Sequence, residues 1–420
     1  MALIGTEESA AQQKHLGKTG LVVFIALLSA FVPLSTDLYL PALPTMVQYF
    51  GATETTVNLT LILFFVFFGA GTLVFGTLSD KYGRRPVLVS GLAIYLVAGI
   101  LCAFSRNIGF LIAFRIVQAI GASAASAVAT AIVKDVYNGR KRESILAMVQ
   151  SMVIISPAAA PLLGAFLLKV TSWRGIFVGL AAIGLVSLVF ALLFQETIRR
   201  RETGPVLKTL GRLGVVLKNR GFAVLLIIFS TTSVAVMSFI SMSSYIYQNQ
   251  FGLSEQVYSY YFAFNASGMF LGPLLYMALS SRFRRRTIIN VCFILAALGG
   301  VMVCIFGSAG PWAFALTLLP ATLCSACTRP GGTYLMLDQQ KGDAGATSSL
   351  ISAGATAMGS IGMCFASMNW SNLVFMVGIM NIVVGVFCGT LWFVFYPKPY
   401  IRHFIEIKTD MDTVSGAIQK

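Results

Sequence analysis

Two groups of charged residues in this 420-residue chain could do chemistry, and their surroundings differ. Asp37 interrupts a long apolar run and is the one acid of fifteen Asp and Glu that lies well inside such a run. Arg115 sits inside another apolar run, with Gln118 one turn later. The second group is the turn Gly76-Thr77-Leu78-Ser79-Asp80-Lys81-Tyr82-Gly83-Arg84-Arg85-Pro86, one acid and three bases between two apolar runs. Asp135, in Lys134-Asp135-Val136-Tyr137, is a second acid suited to Arg84.

A carboxyl in an apolar span costs several kcal/mol unless it is paired or faces water, so its default meaning is functional. Desolvation favours the neutral form of a carboxyl and a nearby guanidinium favours the charged form. A carboxyl exposed to both influences in turn can take up and release a proton. That makes Asp37 the candidate proton site, Arg115 its tuning partner and Gln118 an assistant one turn along. The plainer alternative is a fixed ion pair between two helices. His15 and His403 lie in the two tails, poor places for a proton carrier.

The elements that must position these groups are read from hydropathy. The chain is 57% hydrophobic and 11% charged, with a mean hydropathy of +0.82, far from soluble averages. A helix crossing the hydrocarbon layer needs ~20 apolar residues. Twelve such runs lie near 20–44, 55–79, 87–105, 108–133, 143–168, 174–195, 221–247, 256–280, 287–308, 311–337, 344–367 and 371–396. The expected fold class is an all-α membrane protein with 12 transmembrane helices in two pseudo-symmetric six-helix bundles. On those boundaries Asp37 and Arg115 each lie ~10 Å below the same face, at ~1.5 Å rise per residue, so a direct interaction is expected.

The net charge of +15 does not point to nucleic acid. Of 30 Lys and Arg, 25 fall in the two tails and the even-to-odd loops. Basic loops stay in the cytosol, so both termini are expected there, and the same residues attract anionic lipid. The first 19 residues are largely polar and the first apolar run is too long for a signal core, so no cleaved signal is expected. All seven cysteines lie in apolar runs, where a thiol behaves as a small hydrophobe. The pair Cys324-Ser325-Ala326-Cys327 lacks a second such pair or a neighbouring His, so packing is preferred to metal binding. No metal or other cofactor is expected.

Polar, basic residues 196–220 divide the chain, with six apolar runs on either side. The expected organisation is a cytoplasmic tail 1–19, a six-helix bundle 20–195, a linker 196–220, a second bundle 221–396 and a cytoplasmic tail 397–420. A parallel duplication fits this layout. A shift of 201 residues lays Arg84-Arg85 on Arg285-Arg286, with Ser281 opposite Asp80 and Arg284 opposite Gly83.

Four strings carry a family resemblance. The turn at 76–86 matches G-x-L-x-D-x-x-G-R-R. Arg115-Ile116-Val117-Gln118-Ala119-Ile120-Gly121-Ala122 is similar to R-x-x-Q-G-x-G-A, with Ala119 for the first glycine. Ala160-Pro161-Leu162-Leu163-Gly164-Ala165 resembles the antiporter signature G-P-x-x-G-G, with alanines for two glycines. Ser35-Thr36-Asp37-Leu38-Tyr39-Leu40-Pro41-Ala42-Leu43-Pro44 completes the set. Together they resemble the major facilitator superfamily, and within it the bicyclomycin- and chloramphenicol-resistance branch of drug:proton antiporters (Bcr/CflA type).

The resemblance implies a bacterial inner-membrane exporter of small amphipathic compounds, driven by protons and expected to be monomeric. It implies that Asp80, Gly83, Arg84 and Asp135 form a latch favouring the outward-open state, and that Pro161 and Gly164 seal the outer leak path. From residue chemistry, Pro161 bends its helix and Gly164 admits close packing. Tyr39, Tyr245, Tyr258, Tyr261, Phe262 and Asn265 are candidates for an aromatic substrate cavity. Arg329, before Pro330-Gly331-Gly332, could bind an anionic or carbonyl-bearing substrate or reach towards the membrane surface. A metabolite exporter of the same fold, or a facilitative uniporter, would share these motifs. No nucleotide loop, His cluster or nucleophile motif supports an enzyme.

Overall fold

In the computed structural model, residues 13–137, 139–198, 206–340 and 344–403 are described. Most of the N-terminal tail, part of the linker (199–205) and most of the C-terminal tail fall outside them. The chain is built from helices, with no strand among the described residues. The first half comprises α1 (Gly17–Asp37), α2 (Leu43–Phe50), α3 (Glu54–Tyr82), α4 (Arg84–Ala103), α5 (Ile108–Val136), α6 (Gly139–Val170) and α7 (Trp173–Leu193). A short helix, α8 (Val206–Leu217), lies within the polar segment read as a linker. The second half comprises α9 (Arg220–Tyr245), α10 (Glu255–Ser280), α11 (Arg285–Phe306), α12 (Pro311–Asp338), α13 (Ala344–Ala366) and α14 (Leu373–Phe395).

Eleven spans among the described residues are long and apolar enough to cross a bilayer, α1 and α2 counting as one run from Gly17 to Phe50. The twelfth is α6, in which Ile155–Val170 is an apolar helix among the described residues. In hydrocarbon every backbone N–H and C=O must find a partner within the chain, which is why apolar runs of this length become helices. Their starts are marked by side-chain caps that satisfy otherwise orphaned N–H groups. Thr53, Asn107, Asn219, Ser254 and Asn372 accept from the backbone N–H three residues on, opening α3, α5, α9, α10 and α14.

The helix pairings repeat between the halves. In the first half α1 packs on α6, α3 and α4 on α5, and α4 on α7. In the second half α9 packs on α13, α10 and α11 on α12, and α11 on α14. Across the divide α3 meets α13 and α6 meets α10, again a symmetric pair. Small residues allow the closest approaches, as expected where lipid supplies no hydrophobic drive between helices. A Cβ on Gly121 would sit 2.6 Å from backbone atoms of α4, and one on Gly300 2.7 Å from backbone of α14.

The first span is not one continuous helix. α1 stops at Asp37, a 3-10 turn covers Leu40–Ala42, and α2 carries the chain on to Phe50. Pro41 accounts for the stop, because a proline ring clashes with the carbonyl four residues earlier, here that of Asp37, and lacks the N–H that would bond it.

Candidate functional site

The break at Pro41 decides what the buried charges meet. Asp37 is buried, and its carboxylate accepts from the Thr36 hydroxyl at 3.0 Å. It is the only buried acid among the described residues. Arg115 is fully buried on α5. Its Nη1 donates to Gln118 Oε1 at 2.8 Å, and its guanidinium lies over the rings of Phe64 (4.2 Å), Tyr39 (4.7 Å) and Phe177 (5.8 Å). Nε and Nη2 of Arg115, and Nε2 of Gln118, have no hydrogen-bond partner.

The expected Asp37–Arg115 pair is therefore not made in this conformation. The depth arithmetic assumed a helix ending near residue 44, whereas the span is broken at Asp37 and continues to Phe50. Arg115 consequently meets Tyr39, two residues beyond Asp37. A desolvated cation over aromatic faces gains about 2 kcal/mol, which holds Arg115 in place without an anion.

The α6 signature sits directly against this break. A Cβ on Gly164 would lie 1.8 Å from the Leu38 carbonyl oxygen. Only glycine lets α6 approach so closely. Three residues earlier, the Pro161 carbonyl accepts from Ser259 Oγ on α10 at 2.9 Å, across the two halves. Ser259 was missed from sequence, since a lone serine in an apolar run carries no signal of its own.

Ser259 belongs to a wider seam. Gln248 Nε2 donates to the Pro41 carbonyl (2.9 Å), Asn249 Nδ2 to Glu54 (3.1 Å), and Thr55 Oγ1 to the Ser367 carbonyl. All these bonds lie towards the end away from the basic turns. These bonds between the halves hold the two bundles closed at that end.

At the other end Arg329 marks an opening. It is exposed, yet Leu318, Thr322, Ser325 and Met336 on the same face of α12 are buried. The outward stripe, Trp312, Leu316 and Tyr334, lies on another face. Arg329 therefore reaches into the space between the bundles, and it makes no hydrogen bond or ion pair with the described residues.

The other substrate candidates do not line an open cavity here. Tyr258 bonds Ser243 (3.1 Å), Phe262 stacks on Phe239 (5.8 Å), and Asn265 Nδ2 donates to the Tyr247 hydroxyl (3.3 Å). Tyr261 stacks between Tyr247 (5.0 Å) and the exposed Trp312 (4.9 Å), which directs it to the rim of the second half. Tyr39 bonds Thr60 (3.1 Å), and the buried Tyr245 hydroxyl has no partner. These rings are a packed cluster at the closed end.

The charged turn assembles as its residues suggest. Arg84 donates to Asp80 (2.5 Å), to Asp135 (2.8 Å) and to Ser79 (2.7 Å). Gly83 adopts φ +111°, a conformation that side chains resist. The start of α4 is capped by Glu196, whose two oxygens accept from the N–H of Arg84 (2.9 Å) and Arg85 (3.1 Å). A Cβ on Gly83 would lie 2.5 Å from that carboxylate, so Glu196 belongs to the first bundle although its sequence position reads as linker.

In the second half Arg284 replaces the glycine with ordinary extended backbone, φ −60°. Cys292 joins Cys324 and Cys327 in an apolar cluster with Tyr276, Ile288 and Ala296, as packing predicted.

Comparison with known proteins fits this geometry. The sequence profile of the Major Facilitator Superfamily matches residues 25–363. An uncharacterised transporter of that type from Bacillus subtilis is 26% identical over 386 residues, covering 90% of this chain and 95% of the relative. A chloramphenicol resistance protein from Pseudomonas aeruginosa is 42% identical over 161 residues, 37% of this chain and 38% of the relative. The multidrug resistance protein MdtL of Shewanella oneidensis is 28% identical, covering 64% and 70%. Among solved structures, a bacterial homologue of the lysosomal transporter Spinster superimposes with a TM-score of 0.71 at 14% identity, covering 90% of this chain and 96% of that one. The xylose transporter XylE of E. coli gives 0.68 at 15%, covering 91% and 99%.

Proposed function

The chain belongs to the major facilitator superfamily, a family of transporters and not of enzymes, and from that premise we propose that it exports small amphipathic compounds in exchange for protons. The observation that carries this reading is Asp37, a buried carboxyl at a helix break that pairs with no cation among the described residues. The relatives named for chloramphenicol and multidrug resistance support drug-like cargo.

In this reading the basic end faces the cytosol, following the distribution of Lys and Arg. The conformation is then inward-facing, in a bacterial inner membrane, with both termini cytoplasmic. Asp37 binds and releases the proton as the halves rock. Arg115, with two unsatisfied N–H groups, is the cation that stabilises Asp37 when it is ionised, and Gln118 holds Arg115 in its aromatic cage. Each proton moving inward supplies ~2.3 kcal/mol per 100 mV of membrane potential. Arg329 offers the cargo a cation inside the cleft, and Tyr39, Tyr245 and Tyr258 supply aromatic surface once the closed end opens.

Asp80, Arg84 and Asp135 form the latch, with Glu196 as its fourth member. In the present state its bonds all stay within the first half, so it holds that half's basic end rigid and leaves the other half free to part. Pro161 and Gly164 seal the outer end against α10 and the α1 break.

The test is reconstitution of the full chain into liposomes with an imposed pH gradient. Chloramphenicol and related amphenicols should move uphill and release protons into the measured compartment. Transport that runs only downhill, unaffected by the gradient, would leave a uniporter.

A further inference from the structure

One turn supplies two of the bonds that join the halves. Beyond Tyr245, α9 runs into a π-helical turn, Ile246–Gln250, in which the Phe251 N–H bonds the Ile246 carbonyl at 3.0 Å. Such turns are rare and concentrate at functional sites. Consecutive amide side chains project from it. Gln250 donates to Asn372 Oδ1 at 3.2 Å, which ties the turn to its own half. Gln248 and Asn249 reach across to the first half.

Their partners there differ in kind. Asn249, exposed at the rim, bonds the side chain of Glu54 at 3.1 Å. Gln248 bonds backbone. Its Nε2 donates to the Pro41 carbonyl at 2.9 Å and to Ser244 Oγ, within its own helix, at 2.7 Å. An amide nitrogen carries two hydrogens, so both are used and the side chain is fixed in direction. The Pro41 carbonyl belongs to the 3-10 turn Leu40–Ala42, and the donor such a turn offers is the N–H three residues on. That residue is Pro44, which has none.

Pro41 lies in the α1 break, just beyond Asp37. The same break is held at a second backbone point, where the Leu38 carbonyl lies against Gly164 of α6. Between the two points is Tyr39, whose ring carries the Arg115 guanidinium at 4.7 Å. The segment joining Asp37 to the cage of Arg115 is therefore fixed at one end by the first half and at the other by the second.

We propose that Gln248 is a positioning residue for proton coupling: its grip on the Pro41 carbonyl makes the α1 break follow the seam between the halves. When the halves part at this end the grip is lost, and the break is free to turn and change what Asp37 and Arg115 face. When they close, the break is drawn back. This role rests on Asp37 being the proton site.

The experiment uses the full chain in liposomes with chloramphenicol as the probe. Exchange at equal pH, accumulation driven by a pH gradient and protons released per molecule moved are measured for wild type, Gln248→Met and Asn249→Leu. Methionine keeps the length of the side chain and donates nothing. Asn249→Leu removes a bond from the same turn and the same seam but leaves the break untouched. Maleimide labelling of a cysteine placed on that face should rise about fivefold in both variants, the shift given by one hydrogen bond of ordinary strength. Only in Gln248→Met should accumulation relative to exchange fall, by about the same factor, together with the protons released per molecule. Its exchange at the wild-type rate checks that it is folded. Pro44→Ala, which gives the Pro41 carbonyl a donor from its own chain, should lower the same ratio without any change in α9. An unchanged ratio in Gln248→Met and Pro44→Ala, or an equal fall in Asn249→Leu, overturns the role of Gln248 and leaves Asp37 in place. Uphill accumulation by Asp37→Asn at the wild-type rate removes the proton site itself, and the role of Gln248 with it.

Discussion

Gly164→Ala is the substitution whose effect can be worked most directly from coordinates. The new Cβ would lie 1.8 Å from the Leu38 carbonyl oxygen, where ordinary contact begins near 3.4 Å. The α1 break and α6 must therefore part by about 1.6 Å. The opposing atom is backbone, held on both sides by the break at Pro41, so no side chain can swing away to absorb the clash. Forced overpacking costs about 1–3 kcal/mol, and a backbone partner places this case near the upper end. The same displacement moves Asp37, one residue from Leu38, and loosens the Pro161–Ser259 bond. Thermal unfolding in detergent, followed by a thiol-reactive dye that reads the buried cysteines, should show a clear loss of stability, and substrate transport should fall at temperatures where the protein is still folded. Gly76→Ala, where a Cβ meets nothing within 4 Å, is the control and should melt no lower than wild type. Wild-type melting and transport in Gly164→Ala would refute the reasoning.

Other substitutions probe the turn and the seam. Gly83→Ala meets both an unfavourable φ and the Glu196 carboxylate, so it should cost at least ~1–2 kcal/mol of stability; unfolding at the wild-type temperature would contradict this. Ser259→Ala removes one bond between the halves, worth ~1 kcal/mol, and should shift the population about fivefold towards the form open at the seam. Maleimide labelling of a cysteine placed on that face reads the shift, and an unchanged rate would exclude a sealing role. Arg84→Ala leaves Asp80 and Asp135 without their shared cation, and the same labelling should report a changed bias; an unchanged ratio would remove support for the latch.

What the sequence made legible follows from how local each signal is. The twelve apolar runs, the Gly83 turn and the Arg84 cluster are read within short stretches, and Arg84 finds both expected acids. The Asp37–Arg115 pairing depends on the path of a whole span, and Pro41 in the same string breaks that path. Glu196 and Ser259 act on partners about a hundred residues away, through approaches that only the folded bundles create. Arg329 is intermediate: helical periodicity puts it on the inner face of α12, but its exposure there depends on the bundles having parted. Tyr261 shows the converse, an aromatic on a promising helix that turns towards the rim.

The central claim is that Asp37 couples cargo to protons, and it is tested by comparing two modes of transport in one preparation. Wild-type protein and Asp37→Asn are reconstituted in liposomes, and substrate exchange at equal pH is measured beside accumulation driven by a pH gradient. An amide keeps the size and hydrogen-bonding capacity of the side chain but cannot carry the proton. The account predicts that Asp37→Asn retains exchange and loses gradient-driven accumulation together with proton release. Uphill accumulation at the wild-type rate in that variant would contradict it.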